Sequence, residues 1–365
     1  MIFVQTWYEA FYFAKDPYEK LDPYKIDFEC LIWDRPDLEK AKEDVDKFVE
    51  DVIHKQRVAL KIFGPAGSGK TWLTRIIQKE LIFNKNENAL FLYTKVPRME
   101  PTFQVVYRIA VEYFLKNYFD KLRNYINEKR GSTDLNAWKD IIEDEELALC
   151  FSKYASGGQD RALARKWLIG DKLSASELSS MGMVYSLDSD YERFEMLRKV
   201  IERLLNVFST CVLVVDELEN ASVKLAGQIS DGLRDMLDVF SERFALIASF
   251  TAQKADEWYD LGYTESLGRR FDFTVKLASL NKEIIPEFLR LHHKAYRKRD
   301  VTIKDEIFPF KEDSAIRLLE IMSPEHHYPG YFLPNCKDIA RLAAGKKDFI
   351  DVKFVEENFQ KVTFK

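Results

Sequence analysis

The sequence predicts an α/β fold on a parallel five-stranded sheet, with a long helical insertion and a helical C-terminal lid. Three observations carry that prediction. Apolar runs of strand length recur as VALKIF (58–63), ALFLYT (89–94), CVLVV (211–215) and FALIASFT (Phe244–Thr251). Continuous runs of this kind, as opposed to alternating ones, belong to strands buried on both faces. Stretches of helical periodicity separate them. Finally, the first run passes directly into GPAGSGKT (64–71) and then an amphipathic helix, the strand–turn–helix context of a phosphate-binding loop.

At 365 residues and 46% hydrophobic composition, the chain has material for one large α/β domain and a smaller one. Residues 1–35 mix aromatics with the Asp16-Pro17 and Asp22-Pro23 turns and read as an arm laid across the domain. A nucleotide-binding domain is expected over 36–276, with an insertion at about 100–205, and the lid over 277–365. Asp34 is placed to cap a helix whose apolar face carries Leu38, Val45, Phe48 and Val52.

In the phosphate loop, Gly64, Gly67 and Gly69 permit the backbone turns that aim N–H groups at phosphates, and Pro65, Ala66 and Ser68 complete its wall. The helix from Thr71 points its positive end the same way. Lys70 reaches the β- and γ-phosphates, and the Thr71 hydroxyl offers itself to Mg2+. ATP and Mg2+ are the cofactors this implies.

The insertion reads as helices. An aromatic-rich helix from Phe103 runs on through KNYFDKLRNYINEK, the Gly157-Gly158 break interrupts the pattern, and a stripe of Leu197, Ile201, Leu204, Leu205 and Phe208 leads to the third strand. That strand ends in Asp216 and Glu217. A carboxylate in this place can hold Mg2+ through water (Asp216), and the next can deprotonate an attacking water (Glu217). Glu219 is expected to point elsewhere. The fourth strand ends in two hydroxyls, of which Thr251 is the preferred reporter on the γ-phosphate and Ser249 the alternative.

The order of parts, closed by Ser266-Leu267-Gly268-Arg269-Arg270-Phe271, a short fifth strand and a helical tail, resembles an AAA+ ATPase. Within that class it is similar to origin-recognition/Cdc6-like and DNA-transposition ATPases, over roughly 31–95 and from 208 onward. The resemblance implies that Arg270, with Arg269 second, is an arginine finger offered to a neighbouring subunit, and hence a homo-oligomer. It also implies that Asp34-Arg35 approaches adenine, making Arg35 a nucleotide contact, and that Lys337 stands where a γ-phosphate-sensing arginine is expected, with Arg341 one turn on. Lysine supplies charge there without a bidentate fork. Relatives usually continue into a winged-helix DNA-binding domain, and none is expected after Lys365.

Function is read accordingly as an ATP-hydrolysing switch or loader in DNA replication, recombination or transposition, acting with a protein partner. A net charge of −5 excludes a protein that coats nucleic acid by bulk charge, so DNA contact falls to a local patch at Arg297, Lys298 and Arg299, or to Lys95 and Arg98. The alternative is a STAND-like signalling or phage-defence NTPase switch without direct DNA binding, a reading prompted by KWLIG (166–170), which resembles WLxG segments of phage-defence ATPases. Four scattered cysteines, the absence of an apolar run of membrane-span length and an N-terminus unlike a signal peptide point to the cytoplasm and away from membranes. The His292-His293 and His326-His327 pairs are expected on the surface.

Overall fold

A computed structural model of the chain describes residues 6–19, 30–85, 88–99, 101–301, 303, 305–344 and 349–361. The Asp22-Pro23 turn lies outside them. Helix α1 (Glu39–Ile53) precedes strand β1 (Val58–Gly64), and α2 (Lys70–Lys79) and β2 (Ala89–Lys95) follow. The insertion holds α3 (Phe103–Asn117), α4 (Phe119–Arg130), α5 (Leu135–Ile142), α6 (Glu145–Ser156), α7 (Gly158–Leu168), α8 (Ala175–Met181) and α9 (Asp190–Leu204). Then come β3 (Thr210–Asp216), α10 (Val223–Val239), β4 (Phe244–Thr251), α11 (Glu257–Asp260), α12 (Glu265–Gly268) and β5 (Phe273–Lys276). The chain closes with α13 (Ile285–Tyr296), α14 (Glu312–Ile321), α15 (Pro329–Ala343) and α16 (Val352–Phe359).

The five strands form one parallel sheet in the order β2-β3-β4-β1-β5. Register runs from Ala89 opposite Thr210 to Lys95 opposite Asp216, and from Cys211 opposite Phe244 to Val215 opposite Ala248. On either side of β5, Asp272 N–H donates to Ala59 O and Leu277 N–H to Phe63 O, so both indices rise together. Every residue of β1 and β3 is buried, which is why their apolar runs do not alternate.

By packing, the chain divides into two compact units. One comprises Met1–Val45, Phe63–Lys79 and Lys276–Lys365, the other Asp46–Ile62 and Glu80–Val275. In the second unit the helix expected to run on from Phe103 is two helices, because Tyr118 (φ −127°, ψ −16°) breaks the ladder. Its hydroxyl accepts the Phe91 N–H on edge strand β2 at 3.2 Å, satisfying a donor that a sheet edge leaves open. Ser174 and Ser189 start α8 and α9 with capping boxes, each supplying an acceptor for an orphan N–H. Phe194 stacks on Phe103 with ring centroids 3.7 Å apart. A Cβ on Gly232 would lie 2.0 Å from the Phe194 ring, so α10 packs there only because that residue lacks one.

In the first unit, Phe11, Phe13 and Tyr18 of the N-terminal segment are buried in one core with residues of α13, α14, α15 and α16. Three expectations are corrected here. His292 and His293 are 1% and 0% exposed, with His292 Nε2 2.6 Å from Pro17 O and His293 Nε2 2.7 Å from the Tyr18 hydroxyl. The core claims both because they lie on the apolar face of α13. Asp34 does not cap a helix: a 3-10 turn at Pro36–Leu38 precedes α1, and Asp34 instead accepts from Lys42 Nζ at 2.6 Å. Arg297 leaves the basic patch, since its guanidinium donates to Phe11 O (2.5 Å) and Phe308 O and stacks on Phe13.

Candidate active site

The phosphate loop is built at the exit of β1. Gly67 and Gly69 adopt φ of +76° and +101°, values that a side-chain-bearing residue rarely adopts. A Cβ on Gly64 would stand 2.7 Å from Ser68 Oγ. Lys70, 9% exposed, folds back so that Nζ donates to Gly64 O (2.9 Å) and Pro65 O (3.1 Å). The buried Ser68 hydroxyl has no hydrogen-bond partner among the described residues. An orphaned buried donor beside a lysine and two left-handed glycines fits a loop shaped for an oxyanion.

The same unit places the N-terminus of α15 against this loop. Gly330 N–H donates to Gly67 O at 2.8 Å, and a Cβ on Gly330 would meet Gly67 Cα at 2.6 Å. The Tyr331 ring lies close enough to touch a Cβ added at Gly67. Thus the residues of α15 that meet the loop are Gly330 and Tyr331. Lys337 sits farther down the helix, with its ammonium 2.5 Å from Asp16 Oδ2. Arg35 is enclosed as well: it forms a bidentate pair with Asp37 (2.9 and 2.5 Å) and stacks on Trp72 and Phe288.

At the end of β3, Asp216 is 1% exposed. The Tyr93 hydroxyl donates to its Oδ2 at 2.8 Å, the Ser249 hydroxyl donates to Oδ1, and the Glu217 N–H reaches Oδ1 at 2.9 Å. These donors fix the carboxylate in place. Glu217 takes the left-handed region (φ 57°, ψ 39°), which costs a non-glycine residue about 1–3 kcal/mol and clusters at functional sites. Its carboxylate is half-buried, 3.9 Å from Lys95 Nζ and 3.3 Å from Asn220 Nδ2. Burial lifts its pKa above the ordinary value; Lys95 and Arg98 oppose the rise, and Asp216 and Glu219 add to it.

Glu219, expected to point elsewhere than the attacking water, accepts both the N–H (3.0 Å) and the hydroxyl of Thr251. Arg270 forms a bidentate pair with Asp238 (2.7 and 2.9 Å), and Arg269 pairs with Glu265 at the start of α12. Sequence reasoning did not single out Tyr93 or Asp238. Register was the available signal for the first: aligning the ends of β2 and β3 sets Lys95 opposite Asp216 and Tyr93 two residues before it. Among the described residues, no cluster of three or more His, Cys, Asp or Glu could hold a metal alone.

The solved structures most like this chain include the Aeropyrum pernix Orc2 protein in its ADPNP–ADP complexes (TM-score 0.53, 10% identity, 92% of this chain and 72% of that one). Cdc6p from Pyrobaculum aerophilum matches comparably (TM-score 0.53, 13% identity, 93% and 72%). The fold of this chain is the one seen in those two structures. No protein-family model matches the sequence, and no curated protein does either. At such low identity the likeness is one of fold, and the chemistry rests on the residues above.

Proposed function

We propose that this chain binds ATP with Mg2+ in the GPAGSGKT loop, hydrolyses it, and works as a nucleotide-dependent switch or loader in DNA replication, recombination or transposition. The observation that carries the reading is the loop itself: Lys70 held over the loop carbonyls beside an unpartnered Ser68 hydroxyl. Backbone N–H groups of the loop bind the phosphates and Lys70 neutralises them. Thr71 and Asp216 offer hard oxygens to Mg2+, which when bound polarises the γ-phosphate. Glu217 removes the proton from the attacking water, a role its raised pKa favours. Arg270 is offered to the ATP of a second copy.

The Orc2 neighbour was solved with ADPNP and ADP, in keeping with an adenine nucleotide here. A second reading, a signalling or defence switch that does not touch DNA, gains from Arg297, because one of the three residues of the expected DNA patch is spent on backbone carbonyls. No helix of the described residues is long and apolar enough to cross a membrane. ATP hydrolysis measured with and without DNA at several protein concentrations separates the two. Stimulation by DNA supports the loader, and a DNA-independent rate that still rises with protein concentration supports the switch.

A further inference from the structure

Arg270 follows α12, and its partner Asp238 lies near the end of α10. Together with Arg57, Arg269 and Asp272 they line a polar cleft of 430 Å3. The two arginines after α12 are held differently. Arg269 pairs with Glu265, four residues back at the start of α12, and its side chain is 73% exposed. Arg270 is 32% exposed and is gripped by a carboxylate from another element.

The donors of Arg270 can be counted. Its Nε donates to Asp238 Oδ1 at 2.7 Å, Nη2 to Asp238 Oδ2 at 2.9 Å, and Nη1 to Ser266 O at 3.3 Å. A guanidinium carries five N–H groups, so one on Nη1 and one on Nη2 remain. Asp238 grips the Nε–Nη2 side of the guanidinium, not the end-on edge of Nη1 and Nη2, the fork that takes a phosphate oxygen pair. Asp238 therefore occupies the side edge and fixes the direction of the end-on edge.

We propose that Asp238 is a positioning residue that pre-orients the Arg270 guanidinium for a phosphate presented by a second copy of this chain. The proposal rests on the reading of Arg270 as the residue acting in trans. Without Asp238, a long side chain must be ordered at the moment of reaction, and a misaligned charge-stabilising group lowers the rate of the step more than it lowers binding.

The test is ATP hydrolysis against protein concentration for wild type, Asp238→Ala, Asp238→Asn, Asp238→Glu and Arg270→Ala, with melting temperature and ATP affinity measured for each. Expected is a plateau rate at saturating protein about tenfold or more lower in Asp238→Ala. The half-saturating ATP concentration should stay within about threefold of wild type, and Asp238→Glu should recover part of the rate. Arg270→Ala should fall further. The isosteric Asp238→Asn keeps the result readable should the alanine variant melt early. A wild-type or higher plateau in Asp238→Asn, alongside loss in Arg270→Ala, overturns the positioning role. A wild-type plateau in Arg270→Ala overturns the underlying reading itself, and a melting temperature at the wild-type value shows that neither result is a folding effect.

Discussion

Thr251 gives both its N–H and its hydroxyl proton to the single carboxylate of Glu219. A hydroxyl has one proton to donate, so in this arrangement Thr251 can report on a γ-phosphate only if Glu219 releases it. Ser249, the other candidate reporter, spends its proton on Asp216. Glu219→Ala leaves two donors at the end of β4 without their acceptor, a loss of about 1–3 kcal/mol where they are kept from water. A lowered melting temperature is expected. If Thr251 acts on the nucleotide, Thr251→Val lowers kcat with KM unchanged, while a wild-type kcat in that variant returns the residue to a structural role.

Glu217 carries a pH prediction. Its pKa is raised by burial, so the folded chain holds this proton more tightly than the unfolded chain does. Ionised Glu217 then costs stability. That cost is absent below the ordinary carboxylate value, grows as pH rises toward the raised value, and is complete above it. Glu217→Gln should therefore melt higher than wild type at about pH 8 and lose that advantage near about pH 4. The acidic limb of the wild-type kcat profile should lie above the ordinary glutamate value of about 4.3. An equal melting difference at both pH values contradicts the burial argument.

Gly330 meets Gly67 backbone to backbone, where an added Cβ has no flexible side chain to displace. Gly330→Ala should push the start of α15 off the phosphate loop. Expected are a lower melting temperature and altered ATP affinity, read by calorimetry. An unchanged affinity with normal melting would show that the contact does not bear on the nucleotide.

Arg297 is predicted to matter for folding and not for DNA. Its guanidinium serves two backbone carbonyls and stacks on Phe13, and burial lowers its pKa to about 10. Arg297→Ala strands those carbonyls at about 1–3 kcal/mol each where they are dry, so thermal melting should fall by several degrees. Lys298→Ala with Arg299→Ala tests DNA contact cleanly: a reduced salt dependence of DNA binding supports it, and an unchanged slope assigns both residues to ordinary solvated surface.

Much of the fold was written locally. The buried strands announce themselves as unbroken apolar runs, and the spacing of Gly64, Gly67, Gly69 and Lys70 needs no partner from elsewhere to be read. Relationships across long sequence separations were not legible. Asp238 stands 32 residues before Arg270 on a helix whose acidic face looks like any solvated surface. The hydrogen bonds that hold Arg297 go to the backbone carbonyls of Phe11 and Phe308, and a backbone acceptor leaves no mark on side-chain identity. The Gly67–Gly330 approach likewise uses two residues whose meaning is the absence of a side chain. His292 and His293 were misjudged because adjacency in sequence says nothing about which face of α13 is buried.

The measurement that bears most directly on the central claim compares ATP binding and hydrolysis, with Mg2+, for wild type, Lys70→Ala and Glu217→Gln over a range of protein concentrations. The account predicts that wild type binds and hydrolyses ATP, with specific activity rising with concentration. Lys70→Ala should lose binding, and Glu217→Gln should bind as wild type does and turn over no ATP. Equal loss of binding in both variants, or a wild type that binds ATP and hydrolyses none at any concentration, would contradict it.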